Sequence, residues 1–377
     1  MEAQHLTKPA RNYGIDLLRI LSMIMIAVIH VIKRSEISTS LPMLSLSSAT
    51  IWLLEIAVYG AVDCYALISG YVSYGRNTHK YANLLYLCLQ ALFYMVISTA
   101  LMLVFDRQSV GMMDILATLF PFAYNTYWYF TAYFCLFFFL PTLNHLVDTL
   151  SKPAMTRLIV LLFTVFSLLP TLFHSDFPYS RDGYSFLWLV VLYLFGAYMR
   201  KYGVSFFKRN GTHLLGYAVC VLLTWASKLV IDRLGAVFSW FPIDGYYLIG
   251  YTSPTILIGA VCLLLFFKNL TPGRPAVRFA KIFAPVSFGV YLFHESPFIR
   301  NHIITGAFKS FVSLNPFVLP LAVLGAALGI WLVSSLVDGV RLKLFDLLRV
   351  RAFCAAAERK GRAAVAAITR RFSREAA

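Results

Sequence analysis

The chain has 377 residues, 59% of them apolar and 13% charged, and a mean hydropathy of +0.72. Ordinary soluble domains carry about 25% charged residues, so composition excludes both a soluble domain and a disordered chain for most of the length. The net charge of +16 does not form a nucleic-acid-binding face, because the basic residues lie between long apolar runs and in the C-terminal tail.

Apolar runs set against a hydrocarbon core about 30 Å thick predict spans near 14–33, 50–73, 82–105, 126–147, 157–174, 184–200, 213–232, 248–267, 278–297 and 316–338. The expected fold is therefore all-α: a polytopic membrane domain of about ten transmembrane helices over 1–338, then a basic amphipathic tail over 339–377. The first run carries Asp16 and Arg19 and leads into KRSE without a small-residue cleavage site, so it is expected to stay in the mature protein. Segment 339–353 reads either as an interfacial helix on anionic lipid or as a stop-transfer flank, and the rest of the tail as solvated. With the N-terminus inside, inner segments hold 14 Lys and Arg against 7 outside, and the stretch from Arg341 adds ten. Both termini are accordingly expected in the cytoplasm. The six cysteines show no CxxC pair, so neither a disulfide framework nor a metal site is indicated.

Ionisable residues at membrane depth are costly and point to function. Asp16, Arg19 and His30 share the first span, and eleven residues at 100° each return to within about 20° of the same direction, so one face carries all three. The rise between Arg19 and His30 is about 16 Å, which places Arg19 near the inner surface and His30 in the outer half. Taken alone, Asp16 and Arg19 read equally as a helix-end ion pair, and His30 as a packing residue. His294 and Glu295 reach the same depth in the ninth span. Asn125, Trp128 and Tyr129 lie near the outer surface, as a site or as an interfacial aromatic belt. Asp63 lies near mid-membrane and needs an Arg, a His or water beside it, whereas Ser69 and Gly70 suit close helix packing. Lys228 and Asp232 read as a mutual pair.

The opening RNYGIDLLRILSMIMIAVIHV resembles the first helix of the acyltransferase-3 family of bacterial integral-membrane O-acyltransferases. ISGY at 68–71, YWYFTAYFCLFFFLPTLN at 127–144 and SFGVYLFHE at 287–295 are similar to later blocks of its polysaccharide O-acetyltransferase branch. The resemblance implies an enzyme of the plasma (inner) membrane with no permanently bound cofactor. It would take acetyl-CoA or another acyl-CoA as co-substrate and move the acyl group to a hydroxyl of a glycan or lipid-linked sugar. Arg19 and His30 match the family's functional pair. The loop GRNTHKY departs from the denser basic cluster of many members and offers only Arg76, His79 and Lys80.

Acyl transfer to a hydroxyl needs a base and oxyanion donors. His30 is the expected base, or alternatively a transiently acylated nucleophile, with His294 and Glu295 assisting. The acyl-CoA phosphates are expected at the inner surface near Arg19, Arg76 and Lys80, with pantetheine reaching along the stripe through one continuous tunnel. Asn125, Trp128 and Tyr129 are candidates for holding the acceptor, and Asp16, Asp63 and Ser69 for support. The competing class is a proton-coupled transporter in which Asp63, His30 and Glu295 form a proton path; it would show two alternating cavities and pseudo-symmetric halves.

Overall fold

The computed structural model describes residues 11–75, 80–238 and 245–375, and among them it contains helices and turns but no strand. Helix α1 (Tyr13–Arg34) begins where the Asn12 side chain accepts from the Ile15 amide at 3.1 Å. Acidic Asp16 in the first turn and basic Lys33 and Arg34 in the last turn complement its dipole. A short turn α2 (Ile37–Ser40) follows, and the second span is broken at Gly60 into α3 (Leu46–Tyr59) and α4 (Ala61–Ser73). Next come α5 (Tyr81–Phe105), the short α6 (Met112–Leu119) and α7 (Trp128–Thr149). The fifth span joins α8 (Lys152–Phe163) to α9 (Leu169–Phe173) through a π-helical segment, Thr164–Leu168. Helices α10 (Phe186–Tyr202), α11 (Asn210–Val237) and α12 (Pro254–Lys268) lead to α13 (Arg274–Phe283) and α14 (Ser287–His294), which a 3₁₀ turn connects. Helices α15 (Val318–Leu347) and α16 (Val350–Glu375) close the chain.

Eight of these segments are long and apolar enough to cross a membrane. The sixth and eighth expected spans correspond to α10 and α12, shorter helices of 17 and 15 residues.

Helix α1 occupies the middle of the bundle and touches α3, α4, α12, α13, α14 and α15. Its polar stripe therefore faces protein instead of lipid. Helices α4 and α10 approach at backbone distance. A methyl group on Gly70 would lie 2.1 Å from the Tyr193 carbonyl oxygen, and one on Gly196 would lie 2.2 Å from that of Leu67. Gly70 of the ISGY motif thus serves close packing, as small residues do in membranes.

The tail differs from expectation. Helix α15 does not stop near 338 but continues to Leu347, and Arg341 is buried against Asp338 with a bidentate pair at 2.6 and 2.9 Å. The break comes at Leu348 and Arg349, the latter with φ of 52°. Segment 339–353 accordingly comprises the end of α15 and the start of α16. The following residues are not simply solvated: Cys354 of α16 is buried in a small cluster with Tyr86 and Phe345, and Glu358 accepts from the Ala82 amide at 3.3 Å. Burial of that apolar cluster ties α16 to the start of α5.

Candidate active site

The outer end of the stripe is built from residues far apart in sequence. Helix α14 ends at His294, with Glu295 as its cap and Pro297 two residues on, so the chain leaves helical geometry there. Adjacent side chains that a continuing helix would point 100° apart both reach α1. His30 Nδ1 lies 2.8 Å from His294 Nε2 and 3.4 Å from Glu295 Oε1. The other carboxylate oxygen, Oε2, takes Arg34 at 2.8 Å, with Arg300 at 4.0 Å. Tyr127 donates to the Leu292 carbonyl at 2.9 Å and fixes the start of α7 on α14.

Hydrogen-bond chemistry then fixes the proton positions for neutral rings. His294 Nδ1 lies 2.5 Å from the Val290 carbonyl, which can only accept, so this nitrogen carries the proton. His294 Nε2 is therefore an acceptor, and His30 Nδ1–H donates to it. His30 Nε2 keeps its lone pair and has no hydrogen-bond partner among the described residues. A carboxylate and a second imidazole thus orient one basic nitrogen, the arrangement general-base chemistry needs.

His30 lines a narrow cavity of about 30 Å³, with Met23 and Ile26 of α1, Tyr65 of α4, Trp128 and Tyr129 of α7, and Tyr251 and Tyr291. That volume admits little more than a water or two. Arg19 lines a separate inner pocket of about 460 Å³ with Arg11, Tyr71, Tyr74 and Arg200. Positions 19, 23, 26 and 30 follow one another along α1 at helical spacing, yet the two spaces share no lining residue. The expected single tunnel is thus, along α1, two spaces about one helical turn apart.

The other expected site residues fare differently. Asp16 holds Arg11 at 2.5 Å and Arg19 at 3.1 Å, so it both pairs and shapes the inner pocket. Ser69 donates to the Tyr65 carbonyl at 3.1 Å beneath the cavity. Asp63 is fully buried, but its partner is neither Arg nor His: Trp188 Nε1 donates to it at 3.0 Å. The close α4–α10 approach brings that indole across, and Asp63 does not touch His30. Asn125 is exposed with φ of 54° and lies outside the cavity that Trp128 and Tyr129 line. Lys80 lines a different cleft, with Arg351 and Arg359 of α16, and is not brought to Arg19. Arg76 and His79 lie outside the described residues. Lys228 and Asp232 pair at 2.5 Å.

Residues not anticipated are Arg200 at the inner pocket, Arg34 and Arg300 at Glu295, and Tyr65, Tyr251 and Tyr291 in the cavity. Arg200, closing an apolar run, carried a signal; tyrosines in a chain with 22 of them did not. His30, His294 and Glu295 also offer three ligand atoms within 4.8 Å of one another. Two guanidinium groups beside Glu295 oppose a cation there, so the geometry suits a hydrogen-bonded base better than a metal centre.

No curated protein and no solved structure matches the chain. The sequence model of the acyltransferase-3 family, described as an acyltransferase domain, matches residues 12–336 and spans both the Arg19 pocket and the His30 cluster. The chain belongs to this family and is a multi-pass membrane acyltransferase.

Proposed function

We propose that the protein transfers an acyl group, acetyl in the first instance, from cytoplasmic acyl-CoA to a hydroxyl of a cell-surface polysaccharide or its lipid-linked precursor. The observation that carries this reading is the locked His30, which lines the cavity, whose Nδ1 donates to His294 beside the Glu295 carboxylate and whose Nε2 has no hydrogen-bond partner among the described residues.

In this mechanism His30 Nε2 takes the proton of the acceptor hydroxyl as its oxygen attacks the thioester carbonyl. The phenols of Tyr65, Tyr129, Tyr251 and Tyr291 and the Trp128 indole supply candidate donors for the oxyanion. Collapse of the tetrahedral intermediate breaks the C–S bond, and the thiolate leaves with the proton that His30 returns. Glu295 stabilises the imidazolium in between, while Arg34 and Arg300 keep that carboxylate ionised and in place.

The donor phosphates suit the inner pocket, where Arg11, Arg19 and Arg200 converge. The pantetheine arm would thread the α1 stripe past Met23 and Ile26 toward His30. Lys80 is the weaker candidate for this role, since it lines another cleft. The excess of basic residues in inner segments supports cytoplasmic termini and the plasma membrane as location.

The test replaces His30 by Ala, checks membrane insertion, and measures base-labile ester on surface glycan. We expect a loss of about 100-fold or more, the scale of a general base. Ester at the wild-type level would remove His30 from the chemistry.

A further inference from the structure

A second space opens on the same side as His30, between the segment after α9 and the residues leading into α12. It is a cleft of about 380 Å³, within the range of ligand sites, and is lined by Tyr59, His174, Asp176, Asp182, Tyr184 and Tyr246 among others. An aromatic wall separates it from the catalytic cavity. Tyr251 of the cavity packs against Tyr59 at 5.1 Å and Tyr184 at 4.9 Å, both of which line the cleft. Trp128, also of the cavity, lies 4.7 Å from Tyr184.

The local chain is shaped to hold this wall. Arg181, Asp182 and Gly183 have φ of 53°, 53° and 91°. A side chain at Gly183 would meet the Tyr251 Cβ at 2.5 Å, so only glycine lets the turn seat on that ring. Asp176 is consumed by the turn itself: Oδ1 accepts from the Ser180 amide and hydroxyl at 2.9 and 2.5 Å, and Oδ2 from the Asp182 amide at 3.3 Å. The Asp182 carboxylate, by contrast, makes no hydrogen bond among the described residues. It is left at the cleft as an acceptor.

We propose that this cleft is the acceptor subsite and takes a neutral sugar ring. The ring's C–H face would pack on Tyr184, and its hydroxyls would donate to Asp182. The described lining contains two carboxylates and no Lys or Arg, and the lysines over the Tyr246 ring, Lys228 at 5.1 Å and Lys33 at 6.0 Å, are paired with Asp232 and Glu55, which disfavours the phosphates of acyl-CoA or a phosphorylated lipid carrier. Flat rings with negative faces, interleaved with hydroxyl and carboxylate acceptors, match a molecule that is apolar on its faces and hydroxylated at its rim. A sugar seated here places a hydroxyl at the Tyr184–Tyr251–Trp128 wall, next to the His30 cavity. The assignment deepens the acyltransferase reading and rests on it for the word acceptor, but sugar binding is measurable without an acyl donor.

The experiment uses the full chain in lipid nanodiscs, which avoid the sugar headgroups of alkyl maltosides, and titrates cellotriose and chitotriose against tryptophan fluorescence. Trp128 sits at the wall and reports occupancy. Saturable binding of at least one probe is expected, weakened about tenfold or more in Tyr184→Ala and kept in Tyr184→Phe, which preserves the stacking face. Asp182→Asn, which tolerates the left-handed backbone, should weaken it several-fold. No saturable response to either probe, or equal affinity in Tyr184→Ala, overturns the assignment. Sugar binding that depends on Tyr184 in a protein that transfers no acyl group would sink the enzymatic reading while leaving the cleft intact. Acyl transfer whose acceptor KM is unmoved by Tyr184→Ala would do the reverse.

Discussion

Two buried ionic clusters tie distant helices of this bundle together, and they differ in one respect. Around Asp338 every carboxylate oxygen and guanidinium nitrogen has a partner: Arg341 pairs with both oxygens, Tyr94 donates at 2.8 Å and Gln90 at 3.2 Å, and the remaining Arg341 nitrogen reaches the Tyr86 hydroxyl at 2.8 Å. Around His30 one nitrogen, Nε2, is left over, while Glu295 Oε1 lies 3.4 Å from the other, Nδ1, without a hydrogen bond of its own. A saturated cluster can only hold helices together. One with a spare basic nitrogen beside a cavity can do chemistry, and burial alone does not tell the two apart.

The contrast breaks most visibly at Glu295. Glu295→Gln should lower acyl transfer by about 10²–10⁴-fold, since a neutral amide cannot stabilise the imidazolium, while the folded protein is recovered normally. Transfer within a few-fold of wild type would show that the carboxylate is only structural. Asp338→Ala should do the opposite. Leaving Arg341 buried and unpaired costs about 3–5 kcal/mol, seen as loss of the monodisperse species on gel filtration after mild heating. The surviving molecules should keep their specific activity, and a selective loss of activity would make this cluster part of the site. The smallest expected effect lies at the inner end. Arg19→Ala should raise the acyl-CoA KM about tenfold with kcat little changed, because Arg11 and Arg200 still line the pocket. A pure kcat effect in steady-state assays would move Arg19 from donor binding to the reaction itself.

Several features were legible along the chain because they depend on one coordinate, depth. The polar stripe of α1 follows from helical periodicity, and the equal depth of His30, His294 and Glu295 follows from counting residues from the inner surface. Asp63 was legible as costly, but its partner Trp188 was not, since Gly70 signalled close helix packing without saying that α10 is the helix it meets. Lys80 and Arg19 share a side of the membrane in sequence terms, yet they line different spaces.

Sequence alone determined that this is an all-helical membrane protein, with a charged and imidazole-bearing face on its first helix and a depth for each polar group. Hydropathy and the 3.6-residue repeat are properties of single segments, so no partner helix is needed to read them. Tertiary structure decided which groups meet: the hydrogen bond between residues 30 and 294, the burial of Arg341, the separate inner pocket and cavity, and the aromatic wall beside the outer cleft. Those depend on each helix's position and rotation around the bundle, which packing among many helices fixes and which no local pattern encodes.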